Sequence, residues 1–492
     1  MELTPQQTNF IETAQGSESI ALRARAGTGK TFSLREWATK SRKGGMATSF
    51  SKSTVQELAK KMPPKFQSKT LHGLGYQAIR KSGKYKELDT SKVFNITKQY
   101  CQDLDLPYEI QDPIRKLVAL AKSFGIQPDS AGPDGLTPDE YQTWENIAEQ
   151  FDIELSDSIY ESSRNTLHRS NQVALKDGVI DFDDMLYISL LYPHRFPKFP
   201  VILADEVQDF NSLQHLMLRR CLLPNGRIIG AGDDRQAIYA FRGALANSYN
   251  ELVSSFSMTE LPLTASFRCP RAVVLEAQRY VPDIEPVASA IEGSVIHAES
   301  IDLLDIPSTV LCRNNAPLIT LALSLLVSGR TVEVAGQNIG KGLIQLTKRI
   351  TKKNLKSAEF LDRLDKWKER EIIKFPRRKA RITDKFLAIR ALTLHHKDLE
   401  GVQKHLLKLY PNPSAKNYKP AEVHLTTIHR SKGKEWPKVM FLDPQLLPSK
   451  FAKQPFELLQ EDNLAYVGIT RAQEELTYCA STNINGMEVD EF

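Results

Sequence analysis

The segment Ala24-Arg25-Ala26-Gly27-Thr28-Gly29-Lys30-Thr31 constrains this chain more than any other. It follows the short apolar run SIALRA (19–24) and precedes FSLREWATK, whose apolar spacing is helical. Strand, Gly-rich loop and helix in that order make the setting of a phosphate-binding P-loop. Gly27 and Gly29 permit torsions that turn backbone N–H groups toward phosphate oxygens, and the helix N-terminus adds partial positive charge. Lys30 is placed to reach β- and γ-phosphates, and Thr31 to offer a hydroxyl to Mg²⁺. Ala24 stands where the pattern usually has its first Gly.

The rest of the chain fits the α/β class that such a loop demands. MATSF (46–50), FPVILADE (199–206) and RIIGAGDD (227–234) read as buried strands of a parallel sheet, the last two ending in acids. Asp205 and Glu206 suit a division of labour, one carboxylate holding Mg²⁺ and the next activating water. A second alternating segment starts near 260, with strands at STVLCR (308–313), TVEVAG (331–336), EVHLTTIH (422–429), KVMFLD (438–443) and ELTYCAS (475–481). Helical stretches are expected at Val93–Leu104, Pro113–Phe124, Tyr141–Phe151, Leu355–Glu371 and Asp384–Leu409. DFDDMLYISLLY (181–192) reads as an amphipathic helix with Asp181 as its N-cap.

Length and composition narrow the class. The 492 residues suggest roughly three or four domains. No apolar run approaches the length needed to span a bilayer, and MELTPQQTNF lacks the features of a secretory signal, so a cytoplasmic location is expected. Five scattered cysteines without a CxxC pair suit thiols in a reducing compartment, not disulfides or a thiolate metal site. Residues 341–420 hold 22 Lys/Arg against 8 Asp/Glu. With +6 overall, that local +14 leaves −8 for the remainder, an asymmetry that points to a polyanion.

Further motifs add chemistry. In GDDRQAIYAFRG (232–243), Gln236 is a candidate γ-phosphate sensor. Tyr239 and Phe241, followed by Arg242, share a face if extended, and rings interleaved with Arg suit stacking on single-strand bases. The second segment supplies Arg268, Lys432, Glu435 and Arg471, of which the arginines could stabilise charge on a transferring phosphate.

Taken together, these motifs resemble those of superfamily 1 helicases of the UvrD/Rep/PcrA type, in order, from Leu3 to about Leu476. LTPQQTNFI resembles the Q motif, ARAGTGKT motif I, SFSKSTVQEL motif Ia and TLHGL motif Ib. ADEVQD is similar to motif II, GDDRQAIYAFRGA to III, LTASFRCP to IV, TTIHRSKGKEW to V and AYVGITRAQ to VI. The resemblance implies two RecA-like lobes, each a parallel sheet flanked by helices. Residues 1–84 and 175–258 would form the ATP-binding lobe and 259–340 with 421–492 the second. Residues 85–174 would be a helical insertion and 341–420 a small basic helical one, much shorter than in the larger relatives.

By motif match, ATP and Mg²⁺ are the implied cofactors. Lys30, Thr31, Asp205 and Glu206 would form the hydrolysis centre, with Ala26, Gly27, Thr28 and Gly29 cradling phosphate. Gln7 would read adenine, Phe267 stack on it and Glu435 bind the ribose. Gln236, Arg268 and Arg471 would contact the γ-phosphate, while Phe50, His72, Tyr239, Phe241, Arg242 and His429 would touch DNA. The implied activity is a monomeric 3′→5′ motor on single-stranded DNA and single-/double-strand junctions, with room for a loading or repair partner. A rival is an ATP-switched DNA-binding subunit of a repair or nuclease complex that unwinds weakly alone. Phe32, where the family often has Arg, and Lys52-Ser53, in place of Asn-Lys, depart from the pattern.

Overall fold

The computed structural model describes residues 2–127, 135–151, 153–238, 247–374, 379–410 and 419–485. The chain divides into two compact units, Met1–Leu263 and Thr264–Phe492.

The first unit is built on six parallel strands: β1 (Ile20–Ala24), β2 (Gly45–Ser49), β3 (Phe66–Ser68), β4 (Phe199–Asp205), β5 (Leu222–Gly232) and β6 (Thr259–Leu263). Their order across the sheet is β6-β1-β5-β4-β2-β3. The inner strands are apolar and buried nearly end to end, as a sheet covered on both faces requires. Phe10, Trp37, Leu22 and Leu203 fill one face, while Met217, Tyr187, Ile202 and Ile228 belong to the core on the other. The P-loop leaves β1 and enters helix α1 (Lys30–Lys40).

A largely helical segment lies between β3 and β4. It contains α2 (Lys92–Asp103), α3 (Gln111–Phe124), α4 (Tyr141–Gln150) and α5 (Asp157–Lys176), packed around Ile114, Leu117, Trp144 and Leu167. The following helix corrects the sequence reading. It spans only Asp184–Leu191 and is buried on every face rather than amphipathic. Asp183 directly precedes the helix and makes no side-chain cap bond. Asp181 supplies the expected cap, accepting from Asp184 N at 2.8 Å while Asp184 Oδ2 accepts from Asp181 N at 3.0 Å. Asp181 and Asp184 are buried with two lysines. Lys122 Nζ lies 2.5 Å from Asp181 and 2.7 Å from Asp184, and Lys92 Nζ lies 2.6 Å from Asp184. This quartet joins α2 and α3 to the helix that returns the chain toward β4.

The second unit also has six parallel strands: β7 (Ser294–Ala298), β8 (Thr309–Cys312), β9 (Val332–Val334), β10 (Val423–Thr427), β11 (Trp436–Leu442) and β12 (Ala472–Cys479). Their order is β7-β12-β11-β8-β10-β9. The basic region contains α6 (Gln337–Ile350), α7 (Ser357–Lys374), α8 (Lys379–Leu394) and α9 (Leu399–Leu409). The single helix expected over Asp384–Leu409 is thus two. Asp398 ends the turn between them by accepting from Gly401 N at 2.9 Å. Phe360, Ile389, Leu392 and Leu406 from these helices share one core with Val310, Leu425 and Met440 of the sheet. The five cysteines are buried and unbridged. Among the described residues, no helix is long and apolar enough to cross a membrane.

Candidate functional site

Parallel register brings the motif residues of the first unit to one edge. Arg23 of β1 pairs with Gly232 of β5, Asp205 of β4 with Ala231, and Ser49 of β2 with Asp205. The C-terminal ends of these strands are therefore level, the edge at which open α/β sheets bind ligands. Gly27 and Gly29 have φ of 74° and 79°, in the left-handed region that glycine reaches without strain. Gly29 caps α1 without a side-chain bond, so the helix start carries no side-chain acceptor.

Thr31 donates its hydroxyl to Asp205 Oδ2 at 2.5 Å. Burial, then the adjacent Glu206 carboxylate, push Asp205 up to about 6, against the opposing pull of Lys30 and the Thr31 hydroxyl. Two hard oxygen donors at this spacing fit Mg²⁺, which binds one or two protein oxygens and takes its other ligands from phosphate and water. Lys30 Nζ lies 3.6 Å from Glu206 Oε1. Glu206 has φ 56° and ψ 42°, a left-handed conformation costly for a non-glycine residue and often found at functional sites.

Three residues that sequence reasoning passed over connect this centre to the next strand. Gln208 Nε2 donates to Glu206 Oε2 at 2.5 Å, and Gln208 Oε1 accepts from Asp233 N at 3.1 Å. Asp233 is fully buried, and burial raises its carboxyl pKa. It accepts from Gln236 Nε2 at 2.7 Å and pairs with Arg25 at 3.3 Å. Gln236 thus communicates with Glu206 through Asp233 and Gln208. The signal in the sequence was the Gln of ADEVQD, a polar residue in an apolar setting.

Gln7 is 1% exposed and lies against the P-loop. Its Oε1 accepts from Thr4 N at 3.0 Å and its Nε2 donates to Thr28 O at 3.3 Å. Thr28 in turn donates to Arg25 O at 2.9 Å, and Ala26 is buried. Phe32 carries the Arg35 guanidinium 4.9 Å over its ring.

Of the expected DNA contacts in this unit, Phe50 follows β2 and is half-buried. His72 stacks on Phe182, with ring centroids 4.6 Å apart, and burial lowers its pKa to about 4. Phe182 was not foreseen, yet it is 54% exposed beside His72. Tyr239, Phe241 and Arg242 lie outside the described residues.

In the second unit, Arg268 is ion-paired with Glu435, which also accepts from Gln473 Nε2 at 3.1 Å. Arg471 lies in the short connection into β12 and is wholly buried. It donates to Val467 O and Lys434 O, both at 2.9 Å, and to Thr470 Oγ1 at 3.1 Å. Burial, then nearby Arg268, lower its pKa to about 10. Among the described residues no salt bridge joins it to a carboxylate, and Glu435 acts on it only at longer range. Phe267 is 39% exposed. His429 is half-buried on the one-turn helix that follows β10.

Comparison with known proteins gives two family matches that together span most of the chain. The UvrD/REP helicase N-terminal domain matches residues 3–257, and the UvrD-like helicase C-terminal domain matches residues 246–483. DNA helicase II of Escherichia coli (strain K12) is 25% identical over 216 residues, covering 39% of this chain and 26% of that protein. ATP-dependent DNA helicase Rep of Buchnera aphidicola subsp. Acyrthosiphon pisum is 26% identical over 183 residues, 36% of this chain and 26% of that protein. F-box DNA helicase protein 1 of Schizosaccharomyces pombe is 23% identical over an alignment covering 96% of this chain and 57% of that protein. The matched part is thus less than two thirds of each of these relatives.

Proposed function

Because the chain belongs to the UvrD/REP helicases, we propose that it is an ATP-driven DNA helicase that moves 3′→5′ along single-stranded DNA. The observation that carries this reading is the joining of Lys30, Thr31, Asp205 and Glu206 at one sheet edge, with Thr31 2.5 Å from Asp205 and Lys30 3.6 Å from Glu206. Thr31 and Asp205 would hold Mg²⁺, which supplies charge neutralisation to the phosphates. Lys30 and the amides at the start of α1 bind the phosphate chain. Glu206 takes the proton of the attacking water, and Gln208 holds that carboxylate in place.

Arg268 and Arg471 are assigned to the charge that develops on the γ-phosphate, and among the described residues Arg471 is in no salt bridge that would compete for it. Gln236 reports the γ-phosphate to Glu206 through Asp233. Gln7, Phe267 and Glu435 are assigned to the nucleoside. Phe50, His72, Phe182, Tyr239, Phe241, Arg242 and His429 are assigned to the strand. Exposed rings stack on bases of any sequence, which suits a motor that must pass over all of them.

The test is strand displacement with ATP and Mg²⁺ on duplexes carrying a 3′ or a 5′ single-stranded tail. The proposal predicts displacement from the 3′-tailed duplex alone, lost in Lys30→Ala. Equal displacement of both substrates overturns the polarity. Tight DNA binding with ATP-modulated affinity but no displacement favours a switched subunit that acts through a partner.

A further inference from the structure

We propose that Arg25 is a positioning residue of the ATP site, one that neutralises Asp233 and Asp234 so that Lys30 stays available to phosphate. Arg25 directly follows β1 and is 7% exposed. Its Nη1 lies 2.7 Å from Asp234 Oδ1 and 3.3 Å from Asp233 Oδ1. Asp234 is shared, since its Oδ2 lies 2.8 Å from Arg23 Nη1. Arg23 Nη2 in turn lies 2.8 Å from Glu260 Oε2. Asp234 and Glu260 keep contact with water, whereas the Asp233 side chain has none. Arg23 serves the two outer acids, and Arg25 reaches the inner one.

The sheet brings these groups together. β1 lies between β5 and β6, with Arg23 opposite both Gly232 and Pro262. The chain leaving β1 therefore emerges level with the turn that follows Gly232. Arg25 N donates to Leu263 O at 2.8 Å, and Arg25 O accepts from Thr28 Oγ1 at 2.9 Å. One residue thus ties the P-loop to β6 through its backbone and to Asp233 and Asp234 through its side chain.

The electrostatics give this tie a function. Gln236 Nε2 at 2.7 Å and Arg235 N at 3.2 Å also bond the Asp233 carboxylate, but they supply no charge. Burial raises the Asp233 pKa, and Lys30, then Arg25, pull it back. Lys30 therefore faces two carboxylates, Glu206 at 3.6 Å and Asp233 through the local field. A buried charge stripped of its partner is costly, and a neighbouring opposite charge relieves that cost. Without Arg25, Lys30 is left to fill that role and is drawn from the phosphates. ATP must then win the lysine back, which lowers affinity. Once ATP saturates the site, Lys30 returns to the phosphates and turnover is largely kept. The inference rests on the reading of Lys30 as the phosphate-binding lysine.

The experiment uses the full chain with Mg²⁺ and a fluorescent ATP analogue. Affinity is titrated in the parent, Arg25→Met, Arg25→Lys, Asp233→Asn and Arg25→Met/Asp233→Asn. Turnover at saturating ATP with oligo-dT is measured on the same set. Arg25→Met should weaken binding roughly tenfold, while saturated turnover falls less than about threefold. Arg25→Lys should recover most of the affinity, because the charge returns. In the Asp233→Asn background, Arg25→Met should change affinity less than about twofold, the coupling expected if Arg25 acts through that carboxylate. Unchanged affinity in Arg25→Met overturns the proposal. An equal loss in both backgrounds also overturns it, because the loss would then be one of packing and not of charge. An Arg25→Lys chain as weak as Arg25→Met overturns it too. If Arg25→Met does not fold, the double variant is compared with Asp233→Asn alone, where equal affinities support the proposal and unequal ones overturn it. A Lys30→Ala chain that binds the analogue as tightly as the parent would instead count against the ATP-site reading, so the two failures are separable.

Discussion

Gln208 donates to Glu206 at 2.5 Å while its own carbonyl oxygen accepts from the amide of Asp233 at 3.1 Å. One side chain therefore fixes the carboxylate proposed to activate water and reports the position of the strand end that carries Gln236. Gln208→Leu removes both bonds and leaves Lys30, Thr31 and Asp205 in place. Turnover should fall roughly ten- to hundredfold, while nucleotide affinity changes less than about threefold. Steady-state hydrolysis and binding of a fluorescent ATP analogue check this split.

Gly232 leaves space for that bridge. A Cβ built there would lie 2.8 Å from Gln208 Oε1 and 2.8 Å from Val207 Cγ2. Gly232→Ala should lower stability by about 1–3 kcal/mol through overpacking. It should also reproduce the kinetic sign of Gln208→Leu. Urea unfolding together with turnover tests both parts.

The buried Lys92, Lys122, Asp181 and Asp184 form a second test of packing. Asp184→Ala strands Lys92 and removes one of the two partners of Lys122. Breaking a buried pair in this way should cost about 3–5 kcal/mol. Lys92→Met should cost less, because Asp184 keeps Lys122. Urea midpoints of the two variants give the order.

His215 sets a pH dependence. It is buried, with Nε2 3.3 Å from Ser248 Oγ, and burial lowers its pKa to about 4. The unfolded chain protonates this imidazole near its ordinary value of 6.5, and the folded chain only near 4. Stability from this group is therefore complete above about pH 6.5 and declines as pH falls toward 4. Asp183 and Asp205 are both raised to about 6 and act with the opposite sign, so the variant must be compared with the parent. Between pH 7 and 5 the parent should lose about 2 kcal/mol more than His215→Gln in urea unfolding.

The parts of the site legible from sequence were those that lie along one local stretch. Gly27, Gly29, Lys30 and Thr31 declare themselves because strand, loop and helix follow one another without interruption. Asp205 and Glu206 declare themselves because a buried strand ends there. The Gln208–Asp233 bridge was hidden, since it depends on β4 and β5 being neighbours in register, with Asp205 opposite Ala231. The burial of Asp181 and Asp184 was hidden because their lysine partners are on α2 and α3, far away in sequence. The break at 395–398 was missed because His-His-Lys-Asp contains neither Gly nor Pro. It is imposed by the Asp398 cap and by the bond from Leu399 N to Leu355 O.

The central claim is a motor whose ATP chemistry is coupled to a nucleic-acid strand. It is tested most directly by steady-state ATP hydrolysis with and without single-stranded DNA, in the parent, Lys30→Ala and Glu206→Gln. The account predicts strong stimulation by the strand in the parent and none in Lys30→Ala. Glu206→Gln should retain nucleotide binding with hydrolysis reduced about 10²-fold or more. Turnover in the parent that ignores the strand, or that survives intact in Glu206→Gln, would contradict it.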